Sequence, residues 1–366
     1  MNALRFFLWI LLSVLSFVML QVIQTPLRKK CGYIVRSVLL AVKLLLSLLI
    51  AYTIVATDNL IAWRFGFPFA ALYLALFADA VSDIVTLPYV IIKKHKDCMK
   101  VQVIASAVLT AAYLIYGTLN MQLVTPQHFE MHSPKLEHDY KIVFLSDLHV
   151  GSSQSMGTVI NTLQMIRDEE PDLILLGGDI TDEYSTRDEM QQTYELIGQL
   201  GAPVYFIYGN HDRQSHSDLV GDRTYSDEDL VNALESNGIT ILEDEWTLFT
   251  DDLVILGRGD VSYGNGRTPT SQIPARPSDA FVISVDHTPY ETDDIIEAGA
   301  DLQLSGHTHA AQLFPLRVLY EITGHDAYGV YHYGNTELYV SSGSSGWCFP
   351  FRTEAACHYD VITLSR

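Results

Sequence analysis

Residues 141 to 149 read KIVFLSDLH: an apolar run, Ile142 to Leu145, that passes through Ser146 into Asp147, Leu148 and His149. A short apolar run bounded by polar residues is a buried strand, so Lys141–Ser146 is predicted as one. Four later segments repeat the plan. Asp172–Leu176 (DLILL) runs into Gly177, Gly178, Asp179, Ile180, Thr181 and Asp182, and Pro203–Tyr208 (PVYFIY) into Gly209, Asn210, His211 and Asp212. Ala280–Val285 (AFVISV) ends at Asp286 and His287, and Asp301–Leu304 (DLQL) at Ser305, Gly306, His307, Thr308 and His309. In an open α/β sheet, ligands bind beyond the carboxyl ends of the strands. Any one strand-end acid is ordinarily a turn or cap. Five such ends in order have no packing explanation, because acids and imidazoles gathered at one edge repel or are desolvated unless a cation lies between them. Oxygen and nitrogen donors without thiolate suit first-row divalent metals, and there are too many here for one ion.

Around these strands, Met156–Glu169, Arg187–Leu200 and Asp227–Asn237 read as helices, the last opened by a capping box at Ser226 and Asp229. Thr240–Gly257 and Tyr328–Leu364, rich in Tyr, Val and Thr, read as antiparallel pairs. Together they predict an α/β fold, a two-sheet sandwich with helices on its outer faces.

The ordered set D-x-H, G-D-x-x-D, G-N-H-D, a lone His and G-H-T-H resembles the calcineurin-like metallophosphoesterase family over roughly Lys141 to Leu364. The resemblance implies a hydrolase of phosphoric esters with two divalent ions, Mn, Fe or Zn. It implies that Asp147, His149 and His309 hold one metal, that Asn210, His287 and His307 hold the other, and that Asp179 bridges both. It makes His211 the acid that protonates the leaving oxygen and Asp212 the group that orients His211, with Asp182 a supporting carboxylate. Two cations close together lower the pKa of the attacking water and clamp the phosphate. One departure stands out. The membrane-anchored bacterial branch that the chain most resembles ends its motif G-H-T-H-G-G-Q, whereas Ala310 and Ala311 stand here before Gln312, narrowing the backbone beside His309.

The N-terminal third is different in kind. Phe6–Ile23 has 18 residues without a charge, Ser37–Thr57 has 21 with only Lys43, and Val101–Val124 has 24 with none. Each can cross a hydrocarbon core of about 30 Å. Leu60–Ile92, with 33 residues, Pro68, Asp79, Asp83 and Pro88, is read as one further span starting near Pro68. No small-residue cleavage site follows the first run, so it is not read as a signal peptide. The organisation is thus an anchor over 1–126, with spans near 6–23, 37–57, 68–92 and 101–124, and a metallophosphoesterase domain over 127–366. Arg28, Lys29, Lys30 and Arg36 follow the first span, and Lys93, Lys94, Lys96 and Lys100 precede the last, whereas the Asp58-Asn59 link is not basic. Basic loops stay in the cytoplasm, which puts the C-terminal domain outside it. Asp79 and Asp83 share a helix face, and their ordinary reading is an interfacial position, with Lys43 snorkelling or pairing with one of them.

The formal charge of −20 divides into 11 basic and 4 acidic residues in 1–126 and 12 basic and 39 acidic in 127–366, while mean hydropathy is +0.16. An acidic domain repels long nucleic acid, so the expected partners are the bilayer and a small or lipid-embedded phosphate ester. Trp347, Phe349 and Phe351 alternate beside Arg352: either core packing or the rim of a lipid or nucleoside site, with Arg352 on a substrate phosphate. Cys348 and Cys357 are the cysteines on the exported side, and that topology permits a disulfide between them. Two other readings stay open: a cytoplasmic-facing pyrophosphatase of a nucleotide-linked lipid precursor, and a membrane receptor whose phosphoesterase domain only binds. The sequence leaves the oligomeric state undetermined.

Overall fold

The apolar runs form four helices, α1 (Ala3–Lys30), α2 (Tyr33–Val55), α3 (Leu60–Ile92) and α4 (Cys98–Gln122). The computed structural model describes residues 3–30, 33–55, 60–93, 98–262, 267–273 and 280–366. Cys31, the Asp58-Asn59 link, Lys94 and Lys96 lie outside the described residues. Helix α3 does not start at Pro68 but eight residues earlier, running through both prolines, and its apolar span covers Phe65–Ile92. Val22, Leu45, Val85 and Ile104, one on each helix, are 62–68% exposed. Such an apolar outer surface is stable in hydrocarbon and not in water.

The inside of the bundle is polar at one level. Lys43 pairs with Asp79 at 2.7 Å and also with Asp83, so it takes both acids rather than one. Asp79 is buried and accepts hydrogen bonds from Gln21 and Gln24 of α1, each at 2.9 Å. Buried charge persists only when paired and hydrogen-bonded, which this arrangement achieves across three helices.

Strand β1 (Val124–His132) begins two residues after α4. Strands β2 (Tyr140–Leu145), β3 (Leu173–Leu176), β4 (Val204–Phe206) and β5 (Ile239–Ile241) follow, then β6 (Glu245–Thr250), β7 (Leu253–Gly257), β8 (Phe281–Val285) and β9 (Leu302–Ser305). The last three are β10 (Gly329–Tyr333), β11 (Thr336–Val340) and β12 (Cys357–Ser365). Between them lie α5 (Met156–Asp168), α6 (Arg187–Gly198), α7 (Ser217–Val220), α8 (Asp227–Ser236), α9 (Thr292–Ala298) and α10 (Leu316–Ile322). The strands make two six-stranded mixed sheets, in the orders β1-β12-β2-β3-β4-β5 and β10-β11-β9-β8-β7-β6. β5 therefore leaves the antiparallel pair expected over Thr240–Gly257 and lies parallel to β4 in the other sheet.

Side-chain alternation divides β2 and β3 between two cores. Ile142, Phe144, Leu173 and Leu175 face Ile255, Ile283 and Leu304 of the second sheet. Val143, Leu145, Ile174 and Leu176 face Val159 of α5, Ile197 of α6 and Leu230 of α8. Because β2, β3 and β4 are mutually parallel, as are β7, β8 and β9, each sheet brings its carboxyl ends to one edge.

A third core joins the halves. Trp9, Ala51, Ile54 and Tyr73 of the bundle pack with Leu313, Leu316, Phe349 and Phe351. Trp9 lies 6.3 Å from the Phe349 ring and 5.3 Å from that of Phe351. Gly117 of α4 is required here, because a Cβ would overlap the Phe351 ring. Phe349 and Phe351 are thus core residues, and what they pack against is the membrane bundle. Cys348 and Cys357 are not joined. Cys348 rests on Gly66 of α3, whereas the Cys357 thiol at the start of β12 donates to the Met121 carbonyl at 3.7 Å, so the two sulfurs serve different layers.

Candidate metal centre and active site

The loops after β2, β3, β4, β8 and β9 meet. Asp147, His149 and His309 offer ligand atoms within 4.8 Å of one another, as do Asp179, His287 and His307. Asp179 belongs to both sets in reach: its Oδ2 is 3.0 Å from His287 Nε2 and 3.7 Å from His149 Nε2. Asn210 Oδ1 lies 3.0 Å from His307 Nδ1. Ligands about 2.1 Å from one ion and at right angles stand about 3 Å apart, so these spacings suit shared cations.

The buried ring nitrogens test that fit. Among the described residues, His149 Nε2 has no hydrogen-bond partner and His287 Nε2 meets the Asp179 carboxylate without a well-formed hydrogen bond, although buried polar atoms ordinarily make one. Their other nitrogens are committed: His149 Nδ1 to Asp182 Oδ2 at 3.2 Å and His287 Nδ1 to the Gly177 carbonyl at 2.8 Å. His309 Nδ1 likewise faces the Ser345 carbonyl at 3.2 Å. That is the arrangement by which supporting groups fix metal-binding imidazoles. Burial and the neighbouring His287 push His307 down to about 3, and burial with His149 and Arg352 holds His309 well below its usual value, so both are neutral as ligation requires. Burial lowers His287 too, but the Asp179 charge outweighs it and raises the group to about 10. Positive charge is drawn to the place between Asp179 and His287, a demand a cation meets. The residues therefore fit two divalent ions.

The backbone is bent to deliver them. Asp147, His149, Asp179, His307 and His309 all take positive φ, between 44° and 69°. Ala310 and Ala311 do as well, at 49° and 60°, so their methyls, where the resembled motif would carry glycines, are held in the left-handed region. Non-glycine residues there cost roughly 1–2 kcal/mol each, and such strain concentrates at functional sites. Gly209 and Gly306 allow close approach, since a Cβ on the first would overlap Asp179 and on the second Asp147.

Two expectations need correction. Arg352 does not meet a substrate phosphate: it is fully buried, and its guanidinium donates to the carbonyls of Ser345 (2.6 Å), Ser342 (2.7 Å) and His309 (3.1 Å). It ties the loop after β11 to the His309 ridge. Asp212 does not orient His211. Its carboxylate accepts from the backbone N–H groups of Asp179 and Gly209, each at 2.8 Å, and from Ile180 and Thr181, so it clamps the two loops together. The orienting group is Glu183, whose Oε2 is 2.8 Å from His211 Nδ1. Burial lowers His211, but the charges of Glu183 and Asp179 outweigh it and hold the imidazole well above its ordinary value. Trp347 stacks on its ring at 6.0 Å, and the His149 ring stands 5.4 Å away.

This edge is also fastened to the bundle. Tyr113 of α4 donates to Thr353 Oγ1 at 2.9 Å, Asn120 to the Arg352 carbonyl at 3.2 Å, and the Arg352 N–H to the Gly117 carbonyl at 3.0 Å. Gly117→Val is therefore expected to displace Phe351 and, through Arg352, the carbonyl that holds His309. Overpacking costs about 1–3 kcal/mol, and a metal titration of activity should show apparent affinity weakened by about tenfold.

Residues 140–311 match the family described as calcineurin-like phosphoesterase. The chain is 28% identical to an uncharacterized metallophosphoesterase of Helicobacter pylori over 238 residues, 63% of this chain and 61% of that one. It is 25% identical to a transmembrane protein with metallophosphoesterase domain from Danio rerio over 280 residues, 72% of this chain and 63% of that one. It is 29% identical to the phosphodiesterase YaeI of Escherichia coli over 179 residues, 48% of this chain and 62% of that one. The chain thus spans little more than three fifths of the length of these relatives. Residues 140–311 thus form a domain of the calcineurin-like phosphoesterase type, and four apolar helices long enough to cross a membrane precede it.

Proposed function

We propose that the protein is a membrane-anchored phosphoesterase that hydrolyses a phosphomonoester or phosphodiester with two divalent ions, Mn, Fe or Zn, on the extracytoplasmic face. The observation that carries the reading is Asp179 Oδ2, one carboxylate oxygen within 3.7 Å of ring nitrogens from both histidine sets. When bound, two such ions polarise the phosphoryl oxygens and lower the pKa of the attacking water.

The chain's own residues do the rest. Asp147, His149 and His309 would hold one ion, Asn210, His287 and His307 the other, and Asp179 both. With Nδ1 committed to Glu183, His211 presents Nε2 as the nitrogen that protonates a leaving oxygen. Trp347 covers one face of that imidazole and shields it from water. Arg36, Lys93 and Lys100 belong to the end of the bundle opposite the catalytic half, which supports an extracytoplasmic active site.

Purified full-length chain should hydrolyse bis(4-nitrophenyl) phosphate, lose that activity to a chelator and regain it with Mn²⁺. Hydrolysis indifferent to chelation would overturn the two-metal reading. A reporter enzyme fused after Arg366 should be active only outside the cytoplasm. Activity inside would favour a cytoplasmic-facing pyrophosphatase instead.

A further inference from the structure

A cavity of about 730 Å³ adjoins the metal-ligand cluster without belonging to it. Tyr290 links the two, lining the cavity and meeting the His307 ring edge-on at 5.6 Å. Leu319 and Tyr320 of α10, the adjacent Thr323 and Tyr52 of α2 also line it, together with His325, Asp326 and Tyr333. Tyr52 stands in the last turn of the apolar span Val35–Ile54 and is half exposed, the level at which tyrosines meet the membrane surface. Among the described residues, no Lys or Arg lines the cavity.

Helix α10 has three faces. Leu316 is buried in the core shared with Ala51 and Ile54 of α2, Leu319 and Tyr320 face the cavity, and Val318 and Ile322 are exposed by 47% and 75%. Val318 and Ile322 are four apart and share the outer face, with half-exposed Phe314 just ahead of the helix. Apolar side chains on an outer face beside the end of a spanning helix rest in the bilayer surface. Helix α10 then lies between the cavity and the bilayer surface.

We infer that this cavity holds the hydrocarbon chain of an amphiphilic phosphate ester, with its phosphoryl group at the metal-ligand cluster and its entry from the bilayer past α10. Tyr52, Tyr290, Leu319 and Tyr320 take the chain, and Asp326, with no Lys or Arg among the described lining residues, leaves the phosphate to the cluster. The inference rests on the phosphoesterase reading above and names the substrate class for that same site.

The test uses alkyl 4-nitrophenyl phosphate diesters, methyl to octyl, with full-length protein in nanodiscs. Because each buried methylene favours binding by about three- to fourfold, kcat/KM should rise at least about tenfold along the series. Leu319→Trp, which fills the cavity, and Thr323→Trp, at an exposed position on its rim, should each flatten that rise below about threefold. A flat series in the wild-type protein, with the methyl ester still hydrolysed, overturns the cavity assignment and leaves the phosphoesterase reading standing. Hydrolysis of no member overturns that underlying reading. Octyl phosphate bearing a terminal diazirine, independent of turnover, should label wild-type peptides within 316–333 and be displaced by octyl but not ethyl phosphate. Labelling confined to other segments overturns the proposal.

Discussion

Asp179→Asn is expected to empty both metal positions and reduce turnover by at least about four orders of magnitude, while leaving the fold intact. The seven donors assigned to the two ions include two carboxylates, Asp147 and Asp179, the others being imidazoles and one amide. Two dications held by two negative charges are already under-compensated in a buried site, and the substitution removes half of that charge while keeping the side chain's shape. The loss falls on both ions because one oxygen serves both sets, 3.0 Å from His287 Nε2 and 3.7 Å from His149 Nε2. The other oxygen of Asp179 accepts the His211 backbone N–H at 2.9 Å, a contact the Asn oxygen can keep. Elemental analysis should give well under one ion per chain, with the circular dichroism melting curve close to wild type. Retention of one ion at full occupancy would show that Asp179 belongs to a single site.

The convergence of the candidate ligands was legible because each sits one to five residues beyond a buried strand, and a parallel sheet carries such ends to one edge whatever else the chain does. Asp182 falls where the motif puts it, 3.2 Å from His149 Nδ1. Glu183 was not legible, since its partner comes from the loop after another strand and no spacing links them. Arg352 misled for a related reason: a lone arginine beside aromatics looks like a phosphate ligand, and only the tertiary fold shows three carbonyls waiting for it. In the fold, β1 escaped notice because VTPQHFEMH is largely exposed and holds Pro126, both tolerated at a sheet edge. The start of α3 escaped because a proline usually marks a first helical turn, whereas Pro68 lies inside the helix. The join between bundle and active site, carried by Gly117, Phe351 and Trp9, has no sequence period at all.

His211→Ala separates the acid from the metals. The imidazole contributes to neither ligand set, so the variant should bind its ions as the wild type does. Turnover of an alkyl ester should nevertheless fall by about two to four orders of magnitude, or about 3–5.5 kcal/mol of barrier, because the alkoxide must depart without a proton. The size of the deficit is itself diagnostic. A 4-nitrophenolate leaves readily unprotonated, so the loss should shrink towards about tenfold with that leaving group if His211 acts as the acid, and should be the same for both esters if it only shapes the site. Glu183→Gln should show the same leaving-group pattern at smaller amplitude, since the amide still accepts from His211 Nδ1 but no longer supports its positive charge. Asp212→Asn should not show that pattern, because its carboxylate holds the backbone of Asp179, Ile180, Thr181 and Gly209 and touches no proton in transit. A uniform loss across leaving groups in His211→Ala, with both ions in place, would remove the acid from His211.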